Sequence, residues 1–499
     1  MKVSTIPLIG RAENHADRTA IIACDGTFTY RQLLETSALV ATGLLEGRDD
    51  LNEERVAFLT PRGFEYAAVQ WGIWRAGGIA VPLCEIHPPS ELQYVIQDSG
   101  ATIVVGHPEF SSLLRSIAED VGFRFALTSD LLFAKAGPLP KIATGRRAMI
   151  LYTSGTTGKP KGVVSTHLNI QAQVNSLIQA WGWSGDDYIL HVLPLHHIHG
   201  IINVLTCSLW AGAKCEILPR FDPLEVWQKF LERDLTLFMA VPTNYVKLID
   251  AWEAAPPHRR RLLSETCRKL RLMVSGSAAL PVSVLEKWRS IIGTTILERY
   301  GMTEIGMALS SPLYGEREPG YVGRELPGVE VRLVDETGDP VPPGIPGEIQ
   351  IRGPTVFLEY WQRAEETRKS FSDGWFWTGD IGVVEKNNYR ILGRKSTDII
   401  KTGGYKVSAL EIEELLRTHP AIEECAVVGV EDPEWGERVC AAVILQSQEN
   451  LSLDELRTWG KKRLAPYKVP TRMLILDDFP RNPLGKVTKP AIRELFMRA

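Results

Sequence analysis

Apolar residues recur with two alternating periods along most of the chain, which predicts helices alternating with buried strands. Helical spacing marks Thr29–Glu35 and Tyr66–Trp74, whereas Val56–Leu59 and Ile103–Gly106 are short apolar runs typical of strands. The same alternation continues to the helix predicted after Pro281. This pattern favours α/β sheets covered by helices.

Two later regions follow different patterns. Residues 320–392 contain Gly- and Pro-rich turns between short alternating runs, which predicts a β-rich subdomain. The last hundred residues are predicted to form a smaller α+β unit, in which Ser408 and Glu411 form a capping box at a helix start. The stretch Tyr188–Ala213 lacks Asp, Glu, Lys and Arg, but Pro194 and four histidines favour a buried strand, loop and helix over a membrane span.

Composition excludes several classes of protein. A chain of 499 residues exceeds one ordinary core, so two or more domains are expected. A net charge of −4 gives no general attraction to nucleic acid or membranes, so a polyanion must be held by a local site. The seven scattered cysteines are expected to be free thiols, and the N-terminus resembles neither a signal nor a transit peptide, so we expect a cytosolic protein.

The stretch YTSGTTGKPKG (152–162) is predicted to bind phosphates between two strands. Its glycines allow close approach of backbone N–H groups, and its hydroxyls and lysines add donors and positive charge. It is not a Walker loop, because Gly155 and Gly158 are three apart and Pro160 follows Lys159. A phosphoryl-transferring P-loop enzyme is therefore disfavoured.

Six ordered motifs resemble the acyl-adenylating family of acyl-CoA synthetases, luciferases and peptide-synthetase adenylation domains. They are YTSGTTGKPKG, LPLHHIHG (193–200), YGMTE (300–304), TGD (378–380), GRKSTDIIKTGGYKV (393–407) and PRNPLGKVTK (480–489). Within that family, passages such as FMAVPTNY and RLMVSGSAALPVSVLEKW most resemble malonyl-CoA synthetases. The resemblance implies a multidomain α/β and α+β protein. Its large N-terminal domain (1–394) would hold two α/β sheets plus the β-rich subdomain, and a small mobile domain (395–499) would follow.

The resemblance also implies an ATP site. Tyr300 would stack on adenine, Thr303 would touch the α-phosphate, Glu304 would ligate Mg²⁺, and Asp380 and Arg394 would hold the ribose. Lys486 would bridge the reacting carboxylate and the α-phosphate. The positions matching the family's ATP-binding motifs are Thr153, Ser154, Gly155, Thr156, Thr157, Gly158, Lys159, Ser277, Ala278, Tyr300, Gly301, Met302, Thr303, Asp380, Arg394 and Lys486.

For the transfer of the acyl group to coenzyme A, the resemblance implies a hinge at Lys395 and Ser396. The small domain would rotate there, so that Gly403, Gly404 and Tyr405 face the coenzyme A tunnel. A tight hairpin turn accounts equally well for the two glycines.

Substrate choice depends on fewer residues. His197 and Met302 match positions beside the substrate carboxylate, and the histidines at 196, 197 and 199 lack the further ligands that a zinc site needs. Arg271 is predicted to pair with a second, non-reacting carboxylate, although an exposed arginine at a strand start is the alternative. Arg220 is a weaker candidate for the same role.

The resemblance implies ATP-dependent ligation of malonate to coenzyme A, with methylmalonate as a further substrate. A ligase for short- or medium-chain acids is the alternative within the family, and a non-catalytic nucleotide-binding protein is the alternative outside it. The expected co-substrates are ATP and coenzyme A, the expected metal is Mg²⁺, and the expected assembly is a monomer or homodimer.

Overall fold

The computed structural model describes residues 6–153, 159–481 and 487–498. Within those ranges the α-helices are α1 Pro7–Glu13, α2 Tyr30–Leu45, α3 Phe64–Arg75, α4 Pro89–Ser99, α5 Ser111–Val121, α6 Thr128–Leu132, α7 His167–Trp181, α8 Cys207–Ala211, α9 Pro223–Glu232, α10 Pro242–Ala254, α11 Pro257–Cys267, α12 Val282–Ile292, α13 Ala364–Lys369, α14 Ala409–Leu416, α15 Leu453–Gly460 and α16 Lys489–Arg498. Short 3₁₀ turns cover Pro108–Phe110 and Pro466–Lys468, and a π-helix covers His199–Thr206.

The strands over the same ranges are β1 Thr19–Ala23, β2 Gly26–Thr29, β3 Arg55–Leu59, β4 Ile79–Pro82, β5 Ile103–Gly106, β6 Arg124–Leu127, β7 Arg147–Thr153, β8 Lys161–Thr166, β9 Tyr188–His191, β10 Lys214–Ile217, β11 Leu237–Ala240, β12 Leu272–Ser275, β13 Leu297–Met302, β14 Gly306–Ser310, β15 Arg324–Glu325, β16 Glu330–Val334, β17 Gly347–Arg352, β18 Glu359–Tyr360, β19 Phe371–Ser372, β20 Trp375–Glu385, β21 Asn388–Arg394, β22 Ile399–Thr402, β23 Tyr405–Ser408, β24 Ile422–Asp432, β25 Gly436–Leu445 and β26 Arg472–Ile475.

Two large, mostly parallel sheets form the first part of the chain. One has nine strands in the order β15-β14-β13-β12-β11-β9-β10-β1-β2, and the other has seven in the order β18-β8-β7-β4-β3-β5-β6. The central strands β9, β11 and β12 are buried along their whole length, as expected for parallel strands covered on both faces. The prediction of two α/β sheets is confirmed.

Two smaller sheets follow. An antiparallel sheet of β16, β17, β19, β20 and β21 lies within the region predicted to be β-rich, and the last sheet pairs β22 to β26. Strand β21 ends at Arg394 in the third sheet and β22 begins at Ile399 in the fourth. The domain boundary after Arg394 stays a prediction, since strand pairing alone does not define a moving unit.

One local detail, the start of α14, differs from expectation. Ser408 caps α14 by accepting a hydrogen bond from the Glu411 N–H at 3.2 Å, but the Glu411 carboxylate binds Lys468 instead of completing the capping box. Pro242 occupies the first position of α10, where its missing N–H costs nothing. The charge-free stretch forms β9, the π-helix and α8, as predicted. Among the described residues no helix is long and apolar enough to cross a membrane.

Candidate active site

The carboxyl ends of the parallel strands of the nine-stranded sheet carry most of the predicted site. Ligands of open α/β sheets bind at this edge, because loops and strand ends project there. The LPLHHIHG loop follows β9, the stretch Gly276–Ala279 follows β12, and Tyr300 to Glu304 lie at the end of β13 and in the turn after it. Three separated motifs are thus brought together by the order of the strands.

The predicted ribose clamp, Asp380 with Arg394, is contacted in the structure by Tyr300, which was predicted to stack on adenine, and these roles stay predictions. The Tyr300 hydroxyl donates to Asp380 Oδ2 at 2.7 Å, and Arg394 Nε donates to Asp380 Oδ1 at 3.1 Å. The Asp380 N–H donates to Thr378 Oγ1 at 3.1 Å, which fixes the backbone before the carboxylate. Residues 80 positions apart in the chain therefore converge on one carboxylate.

Glu304 is a buried carboxylate that suits a cation. Its Oε1 accepts a hydrogen bond from the Tyr360 hydroxyl at 3.0 Å, and within the described ranges it forms no ion pair with a lysine, arginine or histidine. Burial raises the pKa of Glu304. Lys161, at the end of the predicted phosphate loop, lies 5.5 Å from the Tyr360 ring centroid. Lys161 and Glu304 therefore both lie next to Tyr360.

Only the ends of the phosphate loop can be placed. Thr153 ends β7 and Lys161 begins β8, and the two residues pair across an antiparallel hairpin, so the loop joins two strands as expected. Lys159 lies 5.7 Å from the centroid of the Tyr94 ring. Ser154, Gly155, Thr156, Thr157 and Gly158 lie outside the described residues, as does Lys486.

The histidine motif lies beside the stretch after β12. His191 is buried, its Nε2 lies 3.1 Å from the Gly200 carbonyl oxygen, and its Nδ1 accepts from the Leu193 N–H at 3.2 Å, which fixes both ends of the motif. His199 Nδ1 lies 3.3 Å from Ser277 Oγ. The ring of His197 lies 4.3 Å from that of His196. Burial lowers the pKa of His196 to about 2, so this pair is not doubly charged.

The prediction that Arg271 faces the substrate is wrong. Its guanidinium donates to both oxygens of Asp187 at 2.7 and 2.6 Å, and to the Trp181 carbonyl at 2.9 Å. Arg271 precedes β12, and at about 3.3 Å per strand residue it lies roughly 16 Å from Gly276. It therefore joins the amino ends of the strands, on the opposite edge from the site. Arg220 is exposed and follows β10, and its role stays a prediction.

Arg299, which was not predicted as a site residue, lies at the carboxyl edge of the sheet beside the stretch after β12. It lies in β13 one residue before Tyr300 and is 4% exposed. Its guanidinium lies directly against Gly276, where an added Cβ would come within 2.4 Å of it. One terminal nitrogen donates to Ser277 Oγ at 3.4 Å, and Nε has no hydrogen-bond acceptor in the part of the chain that the structure describes. Burial lowers the pKa of Arg299 to about 9.

A sequence signal for Arg299 was present. Glu298 and Arg299 are adjacent charged residues within a strand whose first three residues are buried. Charged side chains in such a strand are costly unless they are paired or used. Ser277, which receives Arg299, adopts φ +70, a left-handed conformation that is uncommon for a non-glycine residue and typical of functional sites.

The hinge and coenzyme A positions can be placed without assigning their roles. Lys395 Nζ lies 2.8 Å from Glu348 Oε2, so the predicted hinge begins on the third sheet. Gly403 and Gly404 have φ of +55 and +81 in the two-residue turn between β22 and β23. Such a turn by itself requires glycine-like conformations. Tyr405 stacks on Tyr467 with ring centroids 4.1 Å apart, and Ser396 is exposed.

Comparison with known proteins settles the family. Residues 9–361 match the family described as AMP-binding enzyme, and residues 411–486 match its C-terminal domain. This chain belongs to the AMP-binding enzymes. The AMP-binding enzyme described here is 48% identical to a Mus musculus protein named malonate–CoA ligase ACSF3, mitochondrial, over 97% of this chain and 90% of that one. It is 40% identical to a protein of Arabidopsis thaliana named malonate–CoA ligase, over 97% and 87% of the two chains.

Solved structures agree with this assignment. ATP-bound MatB from Rhodopseudomonas palustris superposes with a TM-score of 0.90 at 33% identity, covering 99% of both chains. The o-succinylbenzoate CoA synthetase of Bacillus subtilis bound to its acyl-adenylate gives 0.87 at 28% identity, covering 98% of both. The name of the mouse relative includes a mitochondrial location. For this AMP-binding enzyme the cytosolic location, like the oligomeric state, stays a prediction.

Proposed function

We propose that this enzyme ligates malonate to coenzyme A through a malonyl-adenylate, consuming ATP and releasing pyrophosphate and AMP. The observation that carries the proposal is Arg299, a buried guanidinium at the catalytic edge with no carboxylate partner among the described residues. An uncompensated buried charge costs several kcal/mol. The non-reacting carboxylate of malonate would supply the missing partner through two charge-assisted hydrogen bonds. The malonate–CoA ligases among the relatives support the same substrate.

The first half-reaction joins one malonate carboxylate to the α-phosphorus of ATP. In this proposal Arg299 binds the other carboxylate, and His197 and Met302 lie beside the reacting one. Tyr300 packs on adenine, while Asp380 and Arg394 hold the ribose. Positioning of both reactants and stabilisation of charge accelerate this step, since in-line phosphoryl chemistry needs little covalent help from the protein.

Magnesium is proposed to bind at Glu304. A buried carboxylate with no cationic partner in the described ranges fits a hard cation that takes its remaining ligands from phosphate and water. When bound there, the ion supplies neutralisation of phosphate charge. Thr303 and the loop 153–159 are proposed to hold the α-phosphate and the departing pyrophosphate. Lys486 is proposed to neutralise the charge that develops between the carboxylate and the α-phosphate.

The second half-reaction transfers the malonyl group to sulfur. The coenzyme A thiolate attacks the acyl carbon of the mixed anhydride, and AMP leaves. Rotation at Lys395 and Ser396 would replace Lys486 by the turn of Gly403, Gly404 and Tyr405, beside which pantetheine would pass. Splitting the reaction into two steps gives a poor electrophile a good leaving group.

A monocarboxylate ligase is the second candidate, and Arg299 disfavours it. An aliphatic tail against a buried guanidinium would leave the charge unpaired. Methylmalonate keeps both carboxylates and is proposed as a further substrate.

The test is pyrophosphate release and CoA thioester formation with malonate, methylmalonate, acetate, hexanoate and coumarate. We expect malonate to have a kcat/KM at least about 100-fold above the monocarboxylates, because a site built around a charge rejects a substrate lacking its partner. A preference for hexanoate would overturn the substrate, release of orthophosphate would overturn adenylation, and no exchange of labelled pyrophosphate into ATP with any acid would indicate a non-catalytic protein.

A further inference from the structure

A buried lysine, Lys489, begins α16 three residues after Lys486. Its Nζ lies 2.6 Å from Asp398 Oδ1 and 2.8 Å from Glu413 Oε1, and its side chain is 15% exposed. Burial alone would lower the pKa of Lys489, but the two carboxylates raise it above its ordinary value, so the lysine is charged. The three residues form one ion cluster inside the small domain.

Asp398 also reaches across the predicted hinge. Its Oδ2 accepts a hydrogen bond from the Arg394 N–H at 3.0 Å, and its own N–H donates to the Arg394 carbonyl at 2.8 Å. Arg394 in turn holds Asp380 of the ribose clamp. The Asp398 side chain packs so closely on the backbone that a Cβ on Gly393 would lie 2.4 Å from the Asp398 Cβ. One carboxylate therefore touches both sides of Lys395 and Ser396.

Lys489 continues directly from the segment that carries Lys486. Arg481 and Val487, which flank that segment, form an antiparallel bridge, and the Thr488 N–H donates to the Pro480 carbonyl at 2.8 Å. The two flanks of 482–486 are thus tied together, and Lys489 is the next side chain anchored to the protein after this bridge. Lys489 is anchored on Asp398, the residue whose side chain closes the hinge turn.

We propose that Asp398 and Lys489 are positioning residues for adenylation: Asp398 closes the hinge turn onto Arg394, and Lys489 ties the start of α16 to that turn. This inference rests on the proposed function, because it requires that Lys486 serve the first half-reaction. Neither residue touches substrate. Their effect is to hold the start of α16, which follows Lys486 in the chain, at the turn that carries Arg394.

The geometry makes the effect selective for one half-reaction. Turning the small domain about Lys395 and Ser396 changes the dihedral angles between Arg394 and Asp398, so the hydrogen bond to the Arg394 N–H belongs to a particular domain orientation. Glu413 differs, because its other bonds are to the Val427 N–H at 2.8 Å and to Arg417 at 3.5 Å, both within the small domain. Glu413 is therefore a matched control that contacts the same lysine and not the hinge.

The experiment compares the two half-reactions in full-length Asp398→Asn, Lys489→Met, Lys489→Arg and Glu413→Gln. Adenylation is measured by malonate-dependent exchange of pyrophosphate into ATP, and transfer by the reaction of supplied malonyl-adenylate with coenzyme A. We expect Asp398→Asn and Lys489→Met to lose at least about tenfold in exchange, since small displacements of a catalytic group have effects of that order or larger. Transfer should change less than about twofold, and Lys489→Arg should recover part of the exchange.

Three outcomes would overturn the inference. They are an equal loss in both half-reactions, a loss in Glu413→Gln that matches Asp398→Asn, or no loss in Asp398→Asn. Thermal unfolding of each variant shows whether it is folded, and the near-isosteric Asp398→Asn decides the question where Lys489→Met does not fold. Wild-type enzyme that gives no exchange with malonate would contradict the proposed function instead.

Discussion

The two edges of the nine-stranded sheet each carry an arginine, and the two are treated in opposite ways. At the amino edge, Arg271 is neutralised by Asp187, whose oxygens also accept from the Ser184 N–H and the Thr236 hydroxyl. At the carboxyl edge, Arg299 is more deeply buried, yet the only hydrogen bond of its guanidinium within the described part of the chain goes to Ser277 Oγ at 3.4 Å. A paired charge ties strands together, whereas an unpaired one at a ligand edge indicates a binding site.

This difference explains why residue type alone was misleading. Both arginines lie near the same strand pair, and both could bind a carboxylate. What distinguishes them is whether the fold already supplies one. The roles of the two arginines can be tested separately by exchanging either one for methionine, which keeps much of the apolar stem and removes the charge.

Arg299→Met should have the largest effect. We expect kcat/KM for malonate to fall at least about 100-fold, because a charged substrate group loses its buried partner. The value for propionate should change less than about threefold, since propionate has no second carboxylate. Steady-state thioester formation measures both. An equal loss for malonate and propionate would show that Arg299 supports the fold and not the choice of acid.

Arg271→Met should instead lower stability. Removing Arg271, whose side chain is 31% exposed, costs about 1 to 2 kcal/mol, because Asp187, with a side chain 3% exposed, would be left charged without its guanidinium partner and solvent would screen only part of that charge. Thermal unfolding should show a lower midpoint, with the malonate-to-propionate ratio unchanged. Arg299→Met is the matched control and should not lose stability in this way, since it removes an uncompensated charge. A shifted substrate ratio in Arg271→Met would restore the sequence-based hypothesis.

The amino edge should also respond to acid. Burial alone would raise the pKa of Asp187, but the hydrogen bonds from Arg271, Ser184 and Thr236 bring it below the ordinary value. The unfolded chain therefore takes up the proton first, so the stabilisation is complete above about pH 4 and is lost as pH falls below it. The difference in unfolding midpoint between wild type and Asp187→Asn should be constant from about pH 5 to 8 and shrink below about pH 4. A constant difference down to about pH 3 would contradict the pairing.

Ser277→Ala should have the smallest effect. The hydroxyl accepts one long hydrogen bond from Arg299, so we expect about a threefold loss in kcat/KM for malonate. Ser275→Ala is the control, because Ser275 is buried two residues earlier and its hydroxyl has no hydrogen-bond partner among the described residues. If the two variants lose the same amount, Ser277 does not aim the guanidinium.

The sequence predicted the fold better than it predicted the pocket. Periodicity located the strands and helices because burial of an apolar face is local and repeats along the chain. The assignment of Tyr300 and Asp380 to one site depended on the family resemblance, since no local pattern links residues 80 apart. The pairing of Glu411 with Lys468 was missed for the same reason: the competing partner is distant in sequence.

Arg271 could have been excluded from sequence order alone. A residue that precedes a parallel strand lies at the amino edge, and ligands bind at the other edge. Arg299 could have been proposed, because it and Glu298 place charges in a strand that is buried at its start, just before YGMTE. The order of residues along the chain could not reveal that Asp187 neutralises Arg271, or that Gly276 leaves room for the guanidinium of Arg299. Those facts depend on three-dimensional packing.

A crystal structure of the enzyme with malonate and a non-hydrolysable ATP analogue tests the central claim most directly. The account predicts that the non-reacting carboxylate lies within about 3 Å of the Arg299 guanidinium nitrogens. It also predicts that Arg271 remains paired with Asp187. A carboxylate bound away from Arg299, with that guanidinium still unpaired, would contradict it.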